Sequence, residues 1–276
     1  MSRSSKLDQA TANYLQAIGV PDIPPKTLAF DPGYDVATVV SHIEQSGHLM
    51  SSLKLSMACW QVCNQDATLA KIAAARKNNV PVCTGGGPFE VATACNKLPE
   101  YLDLCAELGF TRIEAGSGFI DLHLSAKQVL AMADERGLEV HFEVGEKHTG
   151  SFTPQVVAEI IDQGKEWMDA GAKQLVVEAR ENAENVGLFD ASGNLDLKGA
   201  DTIVDAFGLD VIVFEAPNKA SQFAFIRHYG PTVELCNVRL EELLRVEIYR
   251  RGLHSDAFMH DNLRPKGATS TGADLK

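Results

Sequence analysis

Four short apolar runs in this 276-residue sequence each end in a glutamate. The runs read FTRIE, VHFE, QLVVE and VIVFE, and they end at Glu114, Glu143, Glu178 and Glu215. An acid directly after an apolar run marks the point where a buried strand emerges from a sheet. Any one of these acids is explained equally well as a solvated residue at a strand end. Four together favour a shared acidic cavity, because the parallel strands of a barrel bring their carboxyl ends to one face.

Carboxylate oxygens are the preferred ligands of hard divalent cations such as Mg²⁺. The sequence therefore predicts a Mg²⁺ site formed by Glu114, Glu143, Glu178 and Glu215, and it favours Mg²⁺ over Zn²⁺ because the ligands are carboxylates rather than a His/Cys set. A ring of salt bridges that balances charges at the barrel mouth explains the same residues, and the sequence leaves that alternative open.

Cationic and polar residues accompany the acids. Lys147 follows Glu143, Lys219 follows Glu215, and Lys54 lies inside another predicted strand. Such a lysine binds an anion or delivers a proton, although a solvated surface lysine explains each one taken alone. The same strand-end argument adds further candidates for the cavity: Gly86, Gly87, Arg180, Asn237 and Arg239.

Three consecutive glycines, at positions 85 to 87, follow a predicted strand. They are expected to allow positive φ angles and a close approach of the backbone to a ligand, and a tight turn explains them equally well. Two histidines are weaker candidates. His141 lies within a predicted strand and is expected to face the helix layer, and His148 directly follows Lys147.

Eight strand-like runs alternate with segments of helical spacing, which predicts a single-domain (β/α)8 TIM barrel. The barrel is expected over residues 27–258, after an N-terminal helical extension over 1–26 and before a polar C-terminal tail over 259–276. A doubly wound open sheet is the alternative. The sequence has no GxGxxG after a strand and no Walker lysine motif, which argues against dinucleotide and P-loop chemistry.

The formal net charge of −12 argues against broad attraction to nucleic acid or to an anionic membrane. A local basic pocket can still accept a small anionic substrate. The six cysteines form no CxxC pair. The N-terminus has no apolar signal core, and no apolar stretch of the sequence is long enough to span a membrane. We therefore expect a cytoplasmic protein with free thiols.

Several segments in one constant order resemble the phosphosulfolactate synthase family, a group that also includes plant heat-stress-associated relatives. The matching segments include GGGPFE at 85–90, GFTRIEAGSG at 109–118, EVGEK at 143–147, AGAKQLVVEAREN at 170–182, IVFEAPNKASQFAFI at 212–226 and RRGLHSDAF at 250–258. The combination of FEAPxK with QxAFI is specific, since it is not a general barrel pattern.

The resemblance implies a (β/α)8 lyase that adds sulfite to phosphoenolpyruvate with the help of Mg²⁺, in sulfonate metabolism related to coenzyme M biosynthesis. In such a reaction sulfite attacks the methylene carbon, and a metal and cationic side chains stabilise the resulting enolate. Lys147 is then the candidate proton donor, with Glu143 and Arg180 beside it. Substrate binding is assigned to six residues: Lys54, Gly86, Gly87, Lys219, Asn237 and Arg239. A homo-oligomer is expected.

Two segments depart from the family pattern at the predicted mouth. Lys54 is followed by LSMACWQV, where the family has a Gly-Trp-Gly-Thr-Ser type of segment, and Gly116-Ser117-Gly118 replaces a turn that usually carries an acid. Arg239 stands where the family has a small or neutral residue and is a possible replacement anion contact. The acceptor and its phosphate group therefore stay open. An isomerase or aldolase-like enzyme on the same scaffold and a non-catalytic stress-associated protein are the alternatives.

Overall fold

Eight parallel strands close into a barrel in sequence order, with β8 paired to β1. The computed structural model describes residues 6–147 and 150–269. The strands are β1 Thr27–Asp31, β2 Met50–Leu55, β3 Val82–Thr84, β4 Arg112–Gly116, β5 Glu139–Val144, β6 Gln174–Val177, β7 Ile212–Glu215 and β8 Glu234–Arg239. This architecture confirms the predicted single-domain (β/α)8 barrel, and the open sheet is excluded because the first and last strands pair.

Helices occupy the connections between the strands and form the outer layer of the barrel. They are α1 Lys6–Ala17, α2 Val36–Ser46, α3 Cys59–Val62, α4 Gln65–Lys77, α5 Gly86–Ala94, α6 Leu98–Leu108, α7 Ala126–Asp134, α8 Pro154–Ala170, α9 Leu197–Phe207, α10 Lys219–Tyr229, α11 Leu243–Arg250 and α12 Ser255–Phe258, with 3-10 turns at Gly47–Leu49 and Leu240–Glu242. Within the described ranges, none of these helices combines the length and the apolar character needed to cross a bilayer.

Local sequence signals set several helix ends. Thr153 accepts the N–H of Val156 at the start of α8, and Gly171 ends that helix in the left-handed conformation with φ of +113°. Ser125 forms a capping box with Gln128 at the start of α7. Because these caps fix where each helix begins, they also fix where the preceding loop leaves the barrel mouth.

Aromatic stacking identifies which side of each strand faces the helices. The ring of Phe142 in β5 stacks on Trp167 of α8 at 3.9 Å, and Phe214 in β7 stacks on Phe225 of α10 at 4.2 Å. Because side chains alternate along a strand, their neighbours Glu143 and Glu215 point into the barrel.

The prediction that His141 faces the helix layer is wrong. It lies two residues before the inward-facing Glu143 in β5, and it is 1% exposed. Burial, together with the nearby charges of Arg112 and Lys54, lowers the pKa of His141 to about 3. His141 is therefore a neutral side chain inside the barrel. His148 lies outside the described residues.

The opposite end of the barrel is closed by ionic and hydrogen-bonded side chains that we call the basal cluster, namely Thr27, Glu247, Arg250 and Arg251. Thr27 donates its hydroxyl to Glu247 Oε1 at 2.6 Å, and both arginines pair with the Glu247 carboxylate. The fully buried Arg250 also donates to two backbone carbonyls ahead of β8. The cluster joins the last barrel helix to the starts of β1 and β8.

The two segments outside the predicted barrel meet next to this end. The backbone N–H groups of Lys266 and Gly267 donate to the carbonyls of Gly19 and Ile18 at 3.1 Å each, and Leu263 is buried. The predicted N-terminal extension and C-terminal tail are therefore in contact with one another over their described parts. Residues 1–5 of the extension and 270–276 of the tail lie outside the described residues.

Candidate active site

A cavity of about 440 Å³ opens at the carboxyl ends of the strands. It brings together most of the residues that the sequence assigned to a site: Lys54, Gly86, Gly87, Glu143, Lys147, Glu178, Arg180, Glu215 and Asn237. All eight strands, or the segments that directly follow them, contribute to its lining, so the barrel, rather than any local segment, assembles the site. This is the face on which (β/α)8 enzymes carry their active sites.

Lys54 provides a buried positive charge at the bottom of the cavity. Its ammonium nitrogen lies 2.6 Å from Glu114 Oε2, 3.0 Å from Asn237 Oδ1 and 3.6 Å from Glu215 Oε1. Burial lowers the pKa of Lys54, but the attraction of Glu114 and Glu215 outweighs burial and holds it well above the ordinary value. Burial raises the pKa of Glu114 to about 7 against the opposing charge of Lys54.

Lys147 contacts three carboxylates at the side of the cavity. Its Nζ lies 2.5 Å from Glu143 Oε1, 3.3 Å from Glu90 Oε1 and 3.5 Å from Glu178 Oε2. Burial lowers the pKa of Lys147, but these carboxylates, Glu143 first, raise it well above its ordinary value. Lys147 therefore carries a proton at neutral pH.

Glu215 and Glu178 are adjacent but differ in how well their oxygens are satisfied. Glu215 Oε2 accepts the backbone N–H groups of Ala179 and Arg180 at 2.8 and 3.0 Å, and Oε1 accepts Asn237 Nδ2. Glu178 Oε1 accepts the N–H of Arg180 at 2.6 Å, whereas Glu178 Oε2 is buried and faces the Lys147 ammonium at the longer distance of 3.5 Å.

Crowding of these acids changes their ionisation. Burial, followed by the negative charges of Glu215 and Glu143, raises the pKa of Glu178 to about 11. Without another cation, the cavity therefore holds Glu178 as a neutral acid. The backbone next to it is also unusual, because Arg180 and Asn237 have φ angles of +56° and +57°. Left-handed non-glycine residues cost about 1–3 kcal/mol each and cluster at functional sites.

The three glycines have a different role from the one expected. Gly85 is the N-cap of α5 with φ of −84°, Gly86 and Gly87 are its first residues, and none of the three has a positive φ. The expectation of positive φ is therefore wrong, and the close neighbour of this backbone is a side chain of the protein. A Cβ at Gly86 would lie 3.1 Å from Glu143 Oε2, and one at Gly87 would enter open space. First-turn N–H groups have no partner within the helix, so this end of α5 faces the cavity with hydrogen-bond donors.

Three residues that the sequence assigned to the site do not line the cavity. Glu114 lies beneath it and is fully buried against Lys54. Lys219 is 52% exposed and pairs with Asp256 at 3.3 Å. Arg239 is exposed next to the hydroxyl of Tyr34. The cations that line the cavity among the described residues are thus Lys54, Lys147 and Arg180.

The sequence argument missed Glu90, a fully buried acid in α5. Its Oε1 faces Lys147, and its Oε2 accepts the backbone N–H of Phe119 at 2.8 Å. Burial raises the pKa of Glu90. Helical periodicity from Gly86 could have identified it, because residues four apart lie on one face of a helix. Glu90 links Lys147 to the loop after β4.

The donor set fits Mg²⁺ in a restricted way. Among the described residues, no three side chains of His, Cys, Asp or Glu are arranged to hold a metal ion. Mg²⁺ is commonly held by one or two carboxylates, with water and substrate as the other ligands. Glu143 and Glu178 fit this pattern, because their side chains are adjacent and both line the cavity. Glu215 fits less well, since protein donors already occupy both of its oxygens.

Structural comparison identifies the scaffold. The 3-keto-L-gulonate-6-phosphate decarboxylase of Vibrio cholerae is similar with a TM-score of 0.52 and 13% identity, over 83% of this chain and 99% of that chain. The carboxyl transferase domain of Rhizobium etli pyruvate carboxylase gives a TM-score of 0.54 at 11% identity, over 83% of this chain and 42% of that chain. At these identities the similarity concerns the fold alone.

Sequence comparison identifies the family. Residues 24–256 match the model of (2R)-phospho-3-sulfolactate synthase. The phosphosulfolactate synthase of Methanocaldococcus jannaschii is 30% identical over 84% of this chain and 93% of its own length. That of Methanothermobacter thermautotrophicus is 29% identical over 86% and 92%, and that of Bacillus subtilis 30% identical over 68% and 75%. The resemblance seen in the motifs is confirmed, and the chain belongs to the phosphosulfolactate synthase family of carbon–sulfur bond-forming lyases.

Proposed function

We infer that this enzyme adds sulfite to the double bond of a small unsaturated carboxylate such as phosphoenolpyruvate. The observation that carries this inference is the position of Lys147, a protonated side chain among three carboxylates at the edge of the cavity. A fixed ammonium group beside a cavity for an anion is suited to protonate a carbanion equivalent.

The addition requires one nucleophile and one proton. The sulfur lone pair of sulfite forms a bond to the methylene carbon, and the electrons of the carbon–carbon double bond move onto the carboxylate to give an enediolate. Those electrons then form a carbon–hydrogen bond when the adjacent carbon takes a proton from Lys147. Water returns a proton to Lys147, so sulfite, acceptor and one proton yield the product without a leaving group.

The negative charge that develops on the carboxylate needs positive partners. Lys54 supplies one from below, and Arg180 and the N–H groups of Gly86 and Gly87 offer further donors at the mouth. Asn237 orients Lys54 and Glu215, since its side chain bonds to both. These groups hold the acceptor with its double bond between the incoming sulfite and Lys147.

Mg²⁺ would be held by Glu143 and Glu178 and would supply charge neutralisation at the acceptor carboxylate. The support is the adjacency of these two carboxyls and the raised pKa of Glu178, which a bound cation would lower. The proposed metal site does not include Glu114, because Glu114 already pairs with Lys54.

The alternatives stand differently. An isomerase or aldolase-like enzyme that uses the same enolate would need the same residues, and the family membership favours sulfite addition over it. A Schiff-base route is disfavoured, because it needs a neutral lysine amine and both cavity lysines have raised pKa values. A purely structural protein would gain nothing from a cluster of buried acids whose pKa values are raised by burial, since burying such groups is costly.

The direct test is incubation of the purified protein with sulfite, phosphoenolpyruvate and Mg²⁺, with the product followed by mass spectrometry and ³¹P NMR. A new sulfonate that depends on all three components is expected. Glu178→Gln serves as the matched variant, because it keeps the shape of the side chain but weakens the proposed metal site. Loss of the Mg²⁺-induced rise in melting temperature in that variant tests the metal proposal separately. Full activity after exhaustive chelation would contradict it.

A further inference from the structure

The cavity has two unlike sides. One side carries the charged groups described above. The other side, here called the apolar wall, is formed by Phe30, Met57, Ala58, Pro88, Val91 and Phe119. The wall includes the segment after Lys54, one of the places where the sequence departs from the family pattern. Apolar side chains neither transfer protons nor stabilise charge, so this wall is suited to contact the substrate and not to take part in the chemical step.

Three large residues of the apolar wall are exposed in the free protein. Met57 is 56% exposed, Val91 54% and Phe119 46%. They come from three separate elements, namely the loop after β2, helix α5 and the loop after β4. A single exposed apolar side chain needs no explanation, but a group of them around a catalytic cavity marks a binding surface.

The backbone holds part of this wall in a strained conformation. Met57 has a φ of +38°, in the left-handed region that non-glycine residues rarely adopt. Its backbone packs closely on Gly85, where an added Cβ would lie 3.1 Å from Met57 N. Strain of this kind persists where the surrounding structure fixes it, often in a ligand site. The position of Met57 is therefore determined by the fold.

The apolar wall lies next to the proton donor. The Lys147 ammonium nitrogen is 5.8 Å from the centre of the Phe119 ring. Lys147 protonates the carbon that carries the acceptor's second substituent, which in phosphoenolpyruvate is the phosphate. That substituent therefore lies within reach of Phe119.

A phosphate is a poor match for this surface. Apolar side chains offer it no hydrogen bonds, and a dianion that loses its water without new partners is strongly destabilised. Lys54 and Lys147 are already paired with carboxylates. The other donors of the cavity, Arg180 and the N–H groups of Gly86 and Gly87, lie beside Glu178 and Glu143 and are assigned above to the acceptor carboxylate. An alkyl or aryl group instead gains stability by leaving water in contact with such a wall.

We propose that the acceptor of this enzyme is a 2-substituted acrylate whose substituent is apolar, in the place where phosphoenolpyruvate carries phosphate. The proposal rests on the proposed sulfite addition and narrows its substrate. The bonds formed are the same: sulfur to the methylene carbon, and hydrogen from Lys147 to the substituted carbon. The product is a 2-substituted 3-sulfopropionate.

The test compares 2-benzylacrylate with phosphoenolpyruvate as acceptors for sulfite, in the presence of Mg²⁺. We expect kcat/KM to favour 2-benzylacrylate by about 10- to 100-fold, the range over which an apolar pocket discriminates. Val91→Lys, which adds a cation to the wall at an exposed helix position, is expected to lower this ratio at least about 10-fold. Val62→Lys is the matched control, because Val62 is 86% exposed and does not line the cavity.

Met57→Asn is a second, independent variant. Asparagine tolerates a left-handed backbone, so this change removes the apolar side chain while keeping the loop conformation. It is expected to lower the same ratio. Preference for phosphoenolpyruvate, or a ratio unaffected by both variants, would overturn the apolar acceptor and leave sulfite addition standing. Absence of product from both acceptors would overturn the proposed function and this inference with it.

Discussion

The two ends of the barrel both contain buried charges, but they satisfy them differently. In the basal cluster, Glu247 accepts from Thr27 and pairs with Arg250 and Arg251. Arg250 donates to the carbonyls of Pro231 and Val233 at 2.6 Å each and to Lys26 at 3.1 Å. Each charged group there has partners of the right kind.

At the cavity end, acids outnumber the lysines that contact them. The pKa values of Glu90, Glu114 and Glu178 are all raised, with burial as the largest cause. One end of the barrel therefore uses charge to hold elements together, and the other keeps charge available. This is the division expected for a (β/α)8 enzyme, in which the two faces serve stability and activity separately.

The largest expected effect is on stability, at the basal cluster. Arg250→Met should lower the free energy of unfolding by about 3–5 kcal/mol, because it leaves buried carbonyls and part of the Glu247 charge without a partner. Urea denaturation measures the change. Arg136→Met is the control, since Arg136 pairs with the exposed Asp103 and should change stability by about 1 kcal/mol or less. Arg250→Lys, which restores a charge but not the fork of donors, should fall between the two.

A loss below about 1 kcal/mol in Arg250→Met would mean that the basal cluster contributes little. In that case the two ends of the barrel would differ in how their side chains pack and not in how their buried charges are paired.

The next effect is on activity, at the cavity. Lys147→Met should lower kcat by roughly 10²-fold or more, the scale of general acid catalysis, and raise KM less, because Lys54 and Arg180 still offer positive charge. Steady-state kinetics with the proposed acceptor measures both. Lys219→Met is the matched control, because Lys219 pairs at the surface with Asp256 and should leave both constants unchanged.

Lys147→Arg separates a proton donor from an anion contact. Arginine keeps the positive charge but does not release a proton at working pH. An arginine variant with near-normal kcat would reject the acid role. A large rise in KM with unchanged kcat in Lys147→Met would assign the residue to substrate binding instead.

The sequence predicted the barrel and the convergence of Glu143, Glu178 and Glu215. The barrel follows from the regular alternation of strand-like and helical segments, and the convergence follows from the positions of these acids at the ends of strands. A run of apolar residues followed by an acid fixes the place of that acid in a parallel barrel. The sequence wrongly assigned Lys219 to the cavity. Lys219 is the first residue of α10, and the direction of its side chain depends on the geometry of the helix cap. Asn218 caps α10, and Lys219 extends outward to Asp256.

Two further errors have a common physical origin. The glycines 85–87 lie in ordinary backbone conformations, and their lack of a side chain matters because Glu143 approaches Gly86 from a distant strand. Glu90 becomes a site residue only through its contact with Lys147, 57 positions away. Both depend on contacts between distant segments, which spacing along one segment does not reveal.

The third prediction concerns acid stability inside the barrel. The pKa of His141 is lowered from 6.5 to about 3, so the unfolded chain binds one more proton than the folded protein between these values. Stability from the neutral histidine is present above pH 6.5 and is lost as the pH falls toward 3, by at most about 1.4 kcal/mol per pH unit.

His141→Gln should reduce this acid sensitivity, measured as the difference in urea midpoint between pH 7 and pH 5. His123→Gln, at an exposed position, should leave the difference unchanged. Equal acid sensitivity in His141→Gln and the unmodified protein would show that other groups govern it.

The smallest expected loss of stability is tested by making one substitution at both ends of the barrel. In metal-free protein at pH 7, Glu178→Gln should raise the free energy of unfolding, because ionisation of Glu178 stabilises the unfolded chain and not the folded protein. The pKa of Glu178 is raised to about 11 by burial and by Glu215 and Glu143, so its carboxyl is already neutral there and glutamine replaces an uncharged group. Glu247→Gln should instead destabilise by about 3 kcal/mol or more, because it removes the charge that Arg250 and Arg251 share.

Raising the pH sharpens the contrast, since the unfolded chain carries Glu178 ionised above about pH 4.5 while the folded protein retains its proton. The unmodified protein thus loses stability from this group as the pH rises, and the glutamine variant does not. Similar losses in both variants at pH 7 would mean that the cavity acids are held as firmly as the basal ones, and that Glu178 is not available to bind a ligand.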